Sequence, residues 1–345
     1  MEGKLKVGVF GAGAVGTYLG LRLASARTDV TLVGRPWLAE LAGQLEAIDL
    51  NAQGYAYKVR VETDVGALSE VDVCLVCVKS GQTAGAAAQL AQVLRPGALV
   101  VSFQNGLRNP ERLRERLRAQ TVVPGMVSFN VVIEAGKRFR QATSGPLAAG
   151  RVLGSGQGSL ERLEGAFNRS GLPLELHHDI GNLQAGKLLV NLNNGLSAAS
   201  GLSIKQGIAS RDLRRCFAAC VLEGLDVFRR TGLRPAKVVA LPPALMARLM
   251  PLPNPVFLRV ARSLVTIDAR AKSSTLQDLE RGRHTEIDDL NGEVLRRAAS
   301  AGLSAPVNQV IYDAIRSLEA EALGGKRLSF LTPRELWRRV QGQLN

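Results

Sequence analysis

Apolar residues in the first half of the chain gather in short runs that alternate with segments of helical spacing. The runs lie at residues 6–10, 29–34, 71–79 and 97–103. The last two are almost wholly apolar, as strands are when helices cover both faces of a parallel sheet. Between the runs, apolar positions recur every three or four residues, notably over 15–26 and 83–94. This alternation predicts a parallel sheet built from βαβ units.

The pattern changes near the middle of the chain. An alternating stretch at 47–61 predicts an inserted hairpin, and strand-like pieces continue as far as residue 179. From there to the end, apolar spacing of three and four dominates, over 182–199, 213–232 and 288–302. We therefore predict an α/β amino-terminal domain over residues 1–178 and an all-α carboxy-terminal domain over residues 179–345.

Composition narrows the class of protein. Hydrophobic residues make up 46% of the chain, yet no apolar run reaches the roughly 18 residues that a membrane span needs. The first residues lead directly into a strand and show no signal-peptide pattern, so we expect a cytoplasmic location. Four cysteines in 345 residues do not make a disulfide framework. Cys74 and Cys77 have CxxC spacing, but positions i and i+3 of a strand point to opposite faces, so we expect neither a redox nor a metal pair there.

The formal net charge of +14 raises the question of a nucleic-acid partner. Acidic residues interrupt the two densest basic groups, at 108–118 and 333–340, and aromatic residues make up only 4% of the chain. This pattern is typical of solvated amphipathic helices, and it predicts neither a nucleic-acid nor a membrane partner. A basic surface favours anionic small molecules instead.

The first strand ends in a glycine-rich turn formed by Gly11, Ala12, Gly13, Ala14, Val15 and Gly16. The motif follows a predicted strand and opens a predicted helix, which is the context that dinucleotide binding requires. Gly11 permits the tight turn, Gly13 lets a pyrophosphate approach the backbone, and Gly16 lets the helix pack closely. The alternative is a glycine-rich turn without a ligand. We predict a Rossmann-type dinucleotide-binding domain.

The end of the second strand indicates which dinucleotide is bound. An NAD-binding domain usually places a carboxylate there to accept hydrogen bonds from the ribose. This sequence has Val33, Gly34 and Arg35 instead. An arginine can pair with the 2′-phosphate of NADPH, and no carboxylate is present to repel it. The sequence favours NADPH, with a plain surface arginine as the alternative.

Polar residues for catalysis occur after an apolar strand and on a predicted helix. Reduction of a carbonyl group needs an acid near the developing alkoxide and groups that orient the substrate. Asn105 follows the strand at 97–103, at the sheet edge where ligands bind. Lys187, Asn191 and Asn194 fall at i, i+4 and i+7, and so share one helical face. Buried among leucines, this stripe would need partners; a solvated stripe is the alternative.

The order of these motifs resembles the ketopantoate reductase (2-dehydropantoate 2-reductase) family across both domains. The motifs that carry the resemblance are the glycine turn, Lys79, residues 104–106, residues 187–191 and the polar segment 273–293. The resemblance implies that NADPH reduces 2-dehydropantoate to (R)-pantoate in pantothenate biosynthesis, with Lys187 as the proton donor. It implies substrate contacts from Asn105, Asn191, Asn194 and Ser274. It implies cofactor contacts from the glycine turn, Arg35, Lys79, Asn105 and Glu286.

The sequence departs from the family pattern on the substrate side. Asn194 stands seven residues beyond Lys187, one fewer than is usual, and Ile204 and Ala271 replace asparagines. Sites built around a substrate hydroxyl discriminate strongly through such hydrogen bonds. Two alternatives therefore stay open, a reductase of another 2-oxo acid and a non-catalytic NADPH sensor. The helical domain could also supply the face of a homodimer, although no heptad pattern indicates one.

Overall fold

The structure is a computed structural model that describes residues 3–261 and 272–344. Contacts between residues divide the chain into two compact units, Met1–Ile180 and Gly181–Asn345. The first unit combines a mainly parallel sheet with helices, and the described part of the second contains helices and no strand. The predicted fold class, a Rossmann-type α/β domain plus an all-α domain, is confirmed.

The α/β unit contains two sheets. Its strands are β1 (Lys6–Phe10), β2 (Asp29–Val33), β3 (Glu46–Ile48), β4 (Gly54–Ala56), β5 (Arg60–Glu62), β6 (Val73–Val76), β7 (Leu99–Ser102), β8 (Thr121–Val127), β9 (Val131–Glu134), β10 (Arg138–Gln141), β11 (Leu147–Gly150) and β12 (Leu174–His177). The large sheet has the order β12-β11-β8-β7-β6-β1-β2-β5, and the small sheet has the order β4-β3-β10-β9. In the large sheet only the β8–β11 pair is antiparallel.

Helices cover both faces of the large sheet. The helices of this unit are α1 (Ala14–Ser25), α2 (Pro36–Ala39), α3 (Thr83–Val93), α4 (Asn109–Arg114) and α5 (Gln157–Arg169). Alternate residues of β6 enter two different cores, because successive side chains of a strand point to opposite faces. Val73 and Leu75 pack in one core, and Cys74 and Val76 pack in the other. This two-sided burial explains the continuous apolar runs in the sequence.

The predicted hairpin at 47–61 is correct only in part. β3 and β4 pair antiparallel, with Ala47 opposite Tyr55. The end of the stretch leaves the hairpin, because Val61 of β5 pairs in parallel with Leu32 of β2 and extends the large sheet. Alternation of polar and apolar residues predicts a half-buried strand but does not say which neighbour it joins.

A buried arginine holds α1 in place. Arg22 is 1% exposed, and it donates hydrogen bonds to the Tyr18 hydroxyl at 2.8 Å and to the Ser170 carbonyl at 2.5 Å. Its guanidinium also stacks over the Tyr55 ring, 4.2 Å from the centroid. Charge-assisted hydrogen bonds and cation–π contact offset part of the cost of removing the charge from water. The contacts tie α1 to the small sheet and to the loop after α5.

The helical unit is built around two long helices. Its helices are α6 (Ile180–Ser200), α7 (Ile204–Ala209), α8 (Arg211–Arg230), α9 (Pro243–Leu249), α10 (Asn254–Ala261), α11 (Ser274–Glu280), α12 (Asn291–Ser300), α13 (Pro306–Leu323) and α14 (Pro333–Gln341). Leu189 of α6 packs tightly against α8 at Gly224, where an added Cβ would lie 2.7 Å from the leucine side chain. Capping boxes at Ser203 and Thr332 begin α7 and α14. None of the helices that the structure describes is long and apolar enough to cross a bilayer.

The cysteine thiols show no sign of redox or metal chemistry. All four are free, and Cys74, Cys216 and Cys220 are buried. Burial raises the pKa of Cys74 and of Cys216 to about 12, so the reactive thiolate is scarce near neutral pH. Among the described residues no group of three or more His, Cys, Asp or Glu side chains could hold a metal ion.

Candidate active site

The glycine turn adopts the backbone conformation that its sequence predicts. Gly11 has φ +90°, and a Cβ there would lie 2.7 Å from the Val78 nitrogen. The Ala12 amide donates to the Val33 carbonyl at 2.9 Å, which fastens the turn to the end of β2. A side chain at Gly11 would therefore meet both a strained φ and the backbone after β6.

Gly13 leaves open space beside the turn, whereas Gly16 packs closely against the turn itself. A Cβ at Gly16 would lie 2.6 Å from the Gly11 carbonyl oxygen, whereas a Cβ at Gly13 would meet nothing within 4 Å. Gly13 is the N-cap of α1, and neither a capping side chain nor an acidic first-turn residue occupies this end. A helix N-terminus with accessible N–H groups stabilises an anion. The turn fits the pyrophosphate of a dinucleotide.

Arg35 lies where β2 meets α2. It is the N-cap of α2 and is exposed, and among the described residues its guanidinium makes no hydrogen bond or ion pair. The preceding Gly34 packs on the glycine turn, because a Cβ there would lie 3.1 Å from Ala12 Cβ. The structure therefore brings Arg35 next to the turn, and its side chain is available for a ligand.

Asn105 and Lys79 lie on the loops that follow β7 and β6. A network of hydrogen bonds joins these loops. The Ser80 hydroxyl donates to the Asn105 carbonyl at 2.8 Å, and the Asn109 amide donates to the same carbonyl and, at 3.0 Å, to Ser80 Oγ. Asn105 is partly exposed and Lys79 is exposed. The network fixes the backbone of Asn105 and leaves its side chain at the carboxyl edge of the sheet, where ligands bind.

Gln104 precedes Asn105 in sequence but has a different role. It is 5% exposed, and its amide donates to the Val78 carbonyl at 3.1 Å and to Thr83 Oγ1 at 2.7 Å. Its Oε1 accepts from the Ser102 hydroxyl at 3.0 Å. Gln104 thus joins the two loops through buried hydrogen bonds. Sequence alone did not separate this structural glutamine from its exposed neighbour.

In the helical unit, Lys187 lies on α6 among buried leucines. Leu188, Leu189 and Leu192 are buried, and the lysine itself is half-buried. Desolvation lowers the pKa of Lys187 to about 8, and the negative charge of Glu286 partly opposes this shift. The ammonium therefore remains the main form at neutral pH, and its proton leaves far more easily than that of a solvated lysine.

The other predicted residues of this unit lie on α6, at the start of α11 and just before α12. Asn191 and Asn194 follow Lys187 along α6 and are partly exposed. The Ser273 hydroxyl caps α11 and lies 3.2 Å from the Asn194 carbonyl, which brings the exposed Ser274 close to α6. The structure therefore brings Ser274 near Asn194, and Glu286 within electrostatic reach of Lys187. The capping role of Ser273 was missed at the sequence level.

The structure describes one of the two positions at which an asparagine of the family pattern is replaced. Ile204 is the first residue of α7 and is partly exposed, directly after the Ser203 cap. Ala271 lies outside the residues that the structure describes.

A close backbone approach immediately precedes the lysine. A Cβ at Gly186 would overlap the carbonyl oxygen of Ala236. The segment after α8 is held against α6 by hydrogen bonds from the Ala236 amide to the Asn182 carbonyl and from the Arg234 amide to Asn182 Oδ1, both 2.8 Å. The sequence pattern gave no sign of this contact, because a glycine inside an apolar helix does not reveal what packs against it.

Models of two protein families match the chain. One is described as ketopantoate reductase PanE/ApbA and matches residues 7–154. The other is described as ketopantoate reductase PanE/ApbA C terminal and matches residues 179–319. Together they include the glycine turn, Asn105, Lys187 and Glu286.

Individual relatives and solved structures agree with these matches. The 2-dehydropantoate 2-reductase of Halobacterium salinarum is 28% identical over 90% of this chain and 98% of its own length. The structure of a PanE/ApbA family ketopantoate reductase from Ralstonia eutropha JMP134 is 30% identical, with a TM-score of 0.78, over 92% of this chain and all (100%) of that one. A ternary structure of D-mandelate dehydrogenase with NADH and anilino(oxo)acetate has a TM-score of 0.74 over 92% of this chain and 100% of its own. At 18% identity it shows a shared fold alone.

The close approach at Gly186 predicts an asymmetric response of α6 to alanine. Gly186→Ala should lower the free energy of unfolding by about 1–3 kcal/mol or more, because the new methyl group must displace a backbone carbonyl. Gly181→Ala on the same helix is the matched control, since a Cβ there meets only Leu233 Cδ2, at 3.7 Å. That variant should be neutral or more stable by up to about 1 kcal/mol. Urea denaturation measures both, and equal effects would contradict the interpretation.

Proposed function

This chain belongs to the ketopantoate reductase family, and we propose that it catalyses the NADPH-dependent reduction of 2-dehydropantoate to (R)-pantoate, a step of pantothenate biosynthesis. The family assignment makes it an oxidoreductase that acts on a 2-oxo acid with a nicotinamide dinucleotide. The observation that carries the proposal is Lys187, a desolvated ammonium within electrostatic reach of Glu286. Asn191 and Asn194 lie on the same helix.

Lys187 is the proton donor in this proposal. When bound, the nicotinamide cofactor would supply a hydride for the carbonyl carbon. Lys187 Nζ donates a proton to the carbonyl oxygen, so that an alcohol and a neutral amine result. A general acid works best when its pKa lies near the operating pH, and the pKa of Lys187, about 8, meets this condition. Its positive charge also stabilises the oxygen as negative charge develops there.

The polar side chains around Lys187 orient the substrate. Asn191, Asn194 and Ser274 each offer a hydrogen-bonding group to the carboxylate or hydroxyl of a 2-oxo acid. Correct orientation of the reacting groups is itself a large part of catalysis. Glu286 favours the charged form of Lys187.

The residues of the α/β unit hold the cofactor. The open helix end at Gly13 receives the pyrophosphate, and Arg35 pairs with the 2′-phosphate that distinguishes NADPH from NADH. Lys79 adds a second positive charge for the phosphates. Asn105, whose backbone the loop network fixes, would contact the nicotinamide. NADPH, rather than NADH, is thus favoured by the basic side chain at the end of β2.

A reductase of another 2-oxo acid is the second candidate. It keeps every role above and changes only the substrate. The observation in its favour is Ile204, an apolar side chain at the start of α7 where the family pattern has an asparagine. A non-catalytic NADPH sensor is less well supported, because binding alone requires no lysine with a depressed pKa. The homodimer stays a prediction that light scattering can test.

Activity with a panel of 2-oxo acids tests the proposed reaction. The purified protein should oxidise NADPH when 2-dehydropantoate is added, with a kcat/KM above those for 2-oxoisovalerate and phenylglyoxylate. A preference for phenylglyoxylate would favour the second candidate. Tight NADPH binding without turnover of any 2-oxo acid would indicate a sensor.

The lysine pKa predicts a pH dependence with a definite sign. The acid form donates the proton, so kcat/KM should be level below pH about 8 and fall about tenfold per pH unit above it. Lys187→Ala should reduce turnover by roughly 10²–10⁴ while the Kd for NADPH changes little. Lys187→Arg retains the charge without a titratable proton, and its residual activity should show no alkaline fall near pH 8. Wild-type activity that stays level to pH 10 would exclude Lys187 as the acid.

Arg35 predicts the cofactor preference. Arg35→Asp should raise the Kd for NADPH by roughly 10²-fold, because the change removes an attractive charge and adds a repulsive one, and should change the Kd for NADH only a few-fold. Arg118→Asp, at another exposed arginine of the same unit, controls for the change in net charge. Fluorescence titration with both cofactors measures the effect. Equal losses for NADPH and NADH would show that Arg35 does not bind the 2′-phosphate.

A further inference from the structure

A buried carboxylate on α13 lies outside the residues that the reaction uses. Glu319 is 3% exposed, yet both of its oxygens have partners. Its Oε1 accepts a hydrogen bond from the Thr285 amide at 2.7 Å, and its Oε2 forms an ion pair with Arg316 at 2.7 Å. His284 Nδ1 lies 3.3 Å from Oε1, but this histidine is 77% exposed. Glu319 thus contacts the backbone directly before Glu286.

Two further residues of α13 contact Asp288, which follows Glu286 in the sequence. The Tyr312 hydroxyl donates to Asp288 Oδ1 at 2.8 Å, and Arg316 lies 3.9 Å from Asp288 Oδ2. Tyr312, Arg316 and Glu319 fall at i, i+4 and i+7, so they form one face of the helix. This face contacts residue 285 on one side of Glu286 and residue 288 on the other.

The segment between these contacts is short and internally bonded. The Ile287 amide donates to Thr285 Oγ1 at 3.3 Å, and the Asp289 amide donates to the Glu286 carbonyl at 3.0 Å. Residues 287–289 form a single 3₁₀ turn. A turn of this length has little stability of its own, so the contacts that α13 makes with its neighbours help to hold Glu286 in position.

Burial of a carboxylate is costly unless its oxygens accept hydrogen bonds. Removing a carboxylate from water carries a penalty of several kcal/mol, and well-packed apolar residues often replace buried ion pairs without loss of stability. An apolar residue at 319 would leave the Thr285 amide without its acceptor. The Glu319 carboxylate thus fixes a backbone amide that α13 could not otherwise reach.

We propose that Glu319 is a positioning residue that fixes the Glu286 carboxylate within electrostatic reach of the Lys187 ammonium. The catalytic role in this inference rests on the proposed function, whereas the contacts of Glu319 do not. The charge of Glu286 raises the pKa of Lys187 against the effect of desolvation. If the 285–288 segment moves away, desolvation acts with less opposition and the pKa of Lys187 falls further.

The test measures the Lys187 pKa directly, by ¹³C NMR of protein labelled at lysine Cε and without substrate or cofactor. Lys187→Arg assigns the signal by its absence. Glu319→Ala should lower the Lys187 pKa by roughly 1 unit, because Glu286 loses its position. Glu321→Ala is the matched control: Glu321 also lies on α13 and accepts a backbone amide, that of Ser329 at 2.8 Å, in an exposed loop. That variant should leave the Lys187 pKa unchanged.

Three further variants separate position from charge. Glu319→Gln keeps an oxygen for the Thr285 amide and removes the charge, so it should retain a pKa close to that of the wild type. If Glu319→Gln lowers the Lys187 pKa as much as Glu319→Ala does, the effect is one of charge and the proposal is overturned. Glu286→Gln should reproduce the shift, and the double variant Glu319→Ala/Glu286→Gln should add little to it.

The outcomes also distinguish this inference from the proposed reaction. An unchanged Lys187 pKa in Glu319→Ala, with a loss of stability in urea, would make Glu319 a purely structural residue and overturn the inference. A lowered pKa in a protein that reduces no 2-oxo acid would uphold the inference and reject the reaction. In an active protein, the alkaline fall of kcat/KM should move to lower pH by the same amount as the NMR titration.

Discussion

The balance between desolvation and attraction at the Lys187 ammonium is the constraint that organises the helical unit. Protein surroundings disfavour the charge, and the Glu286 carboxylate favours it, so that the pKa lies near 8. Both influences need accurate placement. The backbone at Ala236 approaches Gly186, directly before the lysine, and α13 contacts the segment that contains Glu286. Residues that are distant in sequence therefore contact the neighbours of the lysine and of its carboxylate.

The α/β unit meets a different constraint, which is to present backbone rather than side chains to an anion. An accessible helix end requires the absence of a cap, and Gly13 provides it. The neighbouring loops must then be held by their own hydrogen bonds. Hydrogen bonds from the side chains of Ser80, Gln104 and Asn109 join the loops. The exposed surface of the loops is left for a ligand. Buried polar groups that bond fully to one another make such loops rigid at low cost.

Local sequence pattern was sufficient for some of these features and not for others. The glycine turn and β6 were predictable because turn chemistry and apolar runs act over a few residues. The polar stripe from Lys187 to Asn194 was predictable from helical spacing, although only the family resemblance gave it a function. The joining of β5 to β2 and the contact of Glu319 with Thr285 were not predictable. Both depend on residues roughly 30 positions apart, and a single sequence does not encode such pairings in its periodicity.

The buried cations of this protein show why a lysine, rather than an arginine, occupies position 187. Arg214 is 2% exposed and donates hydrogen bonds to the Met250 carbonyl at 2.8 Å and to the Leu252 carbonyl at 2.8 Å. Arg22 is held in the same manner by Tyr18 and Ser170. Arginine keeps its proton in proteins, so these sites gain a permanent donor that fastens loops and helices. Lysine loses its proton when burial disfavours the charge, and a nearby carboxylate can set how readily this happens. Burial beside a carboxylate therefore makes Lys187 a group that can give up a proton near neutral pH.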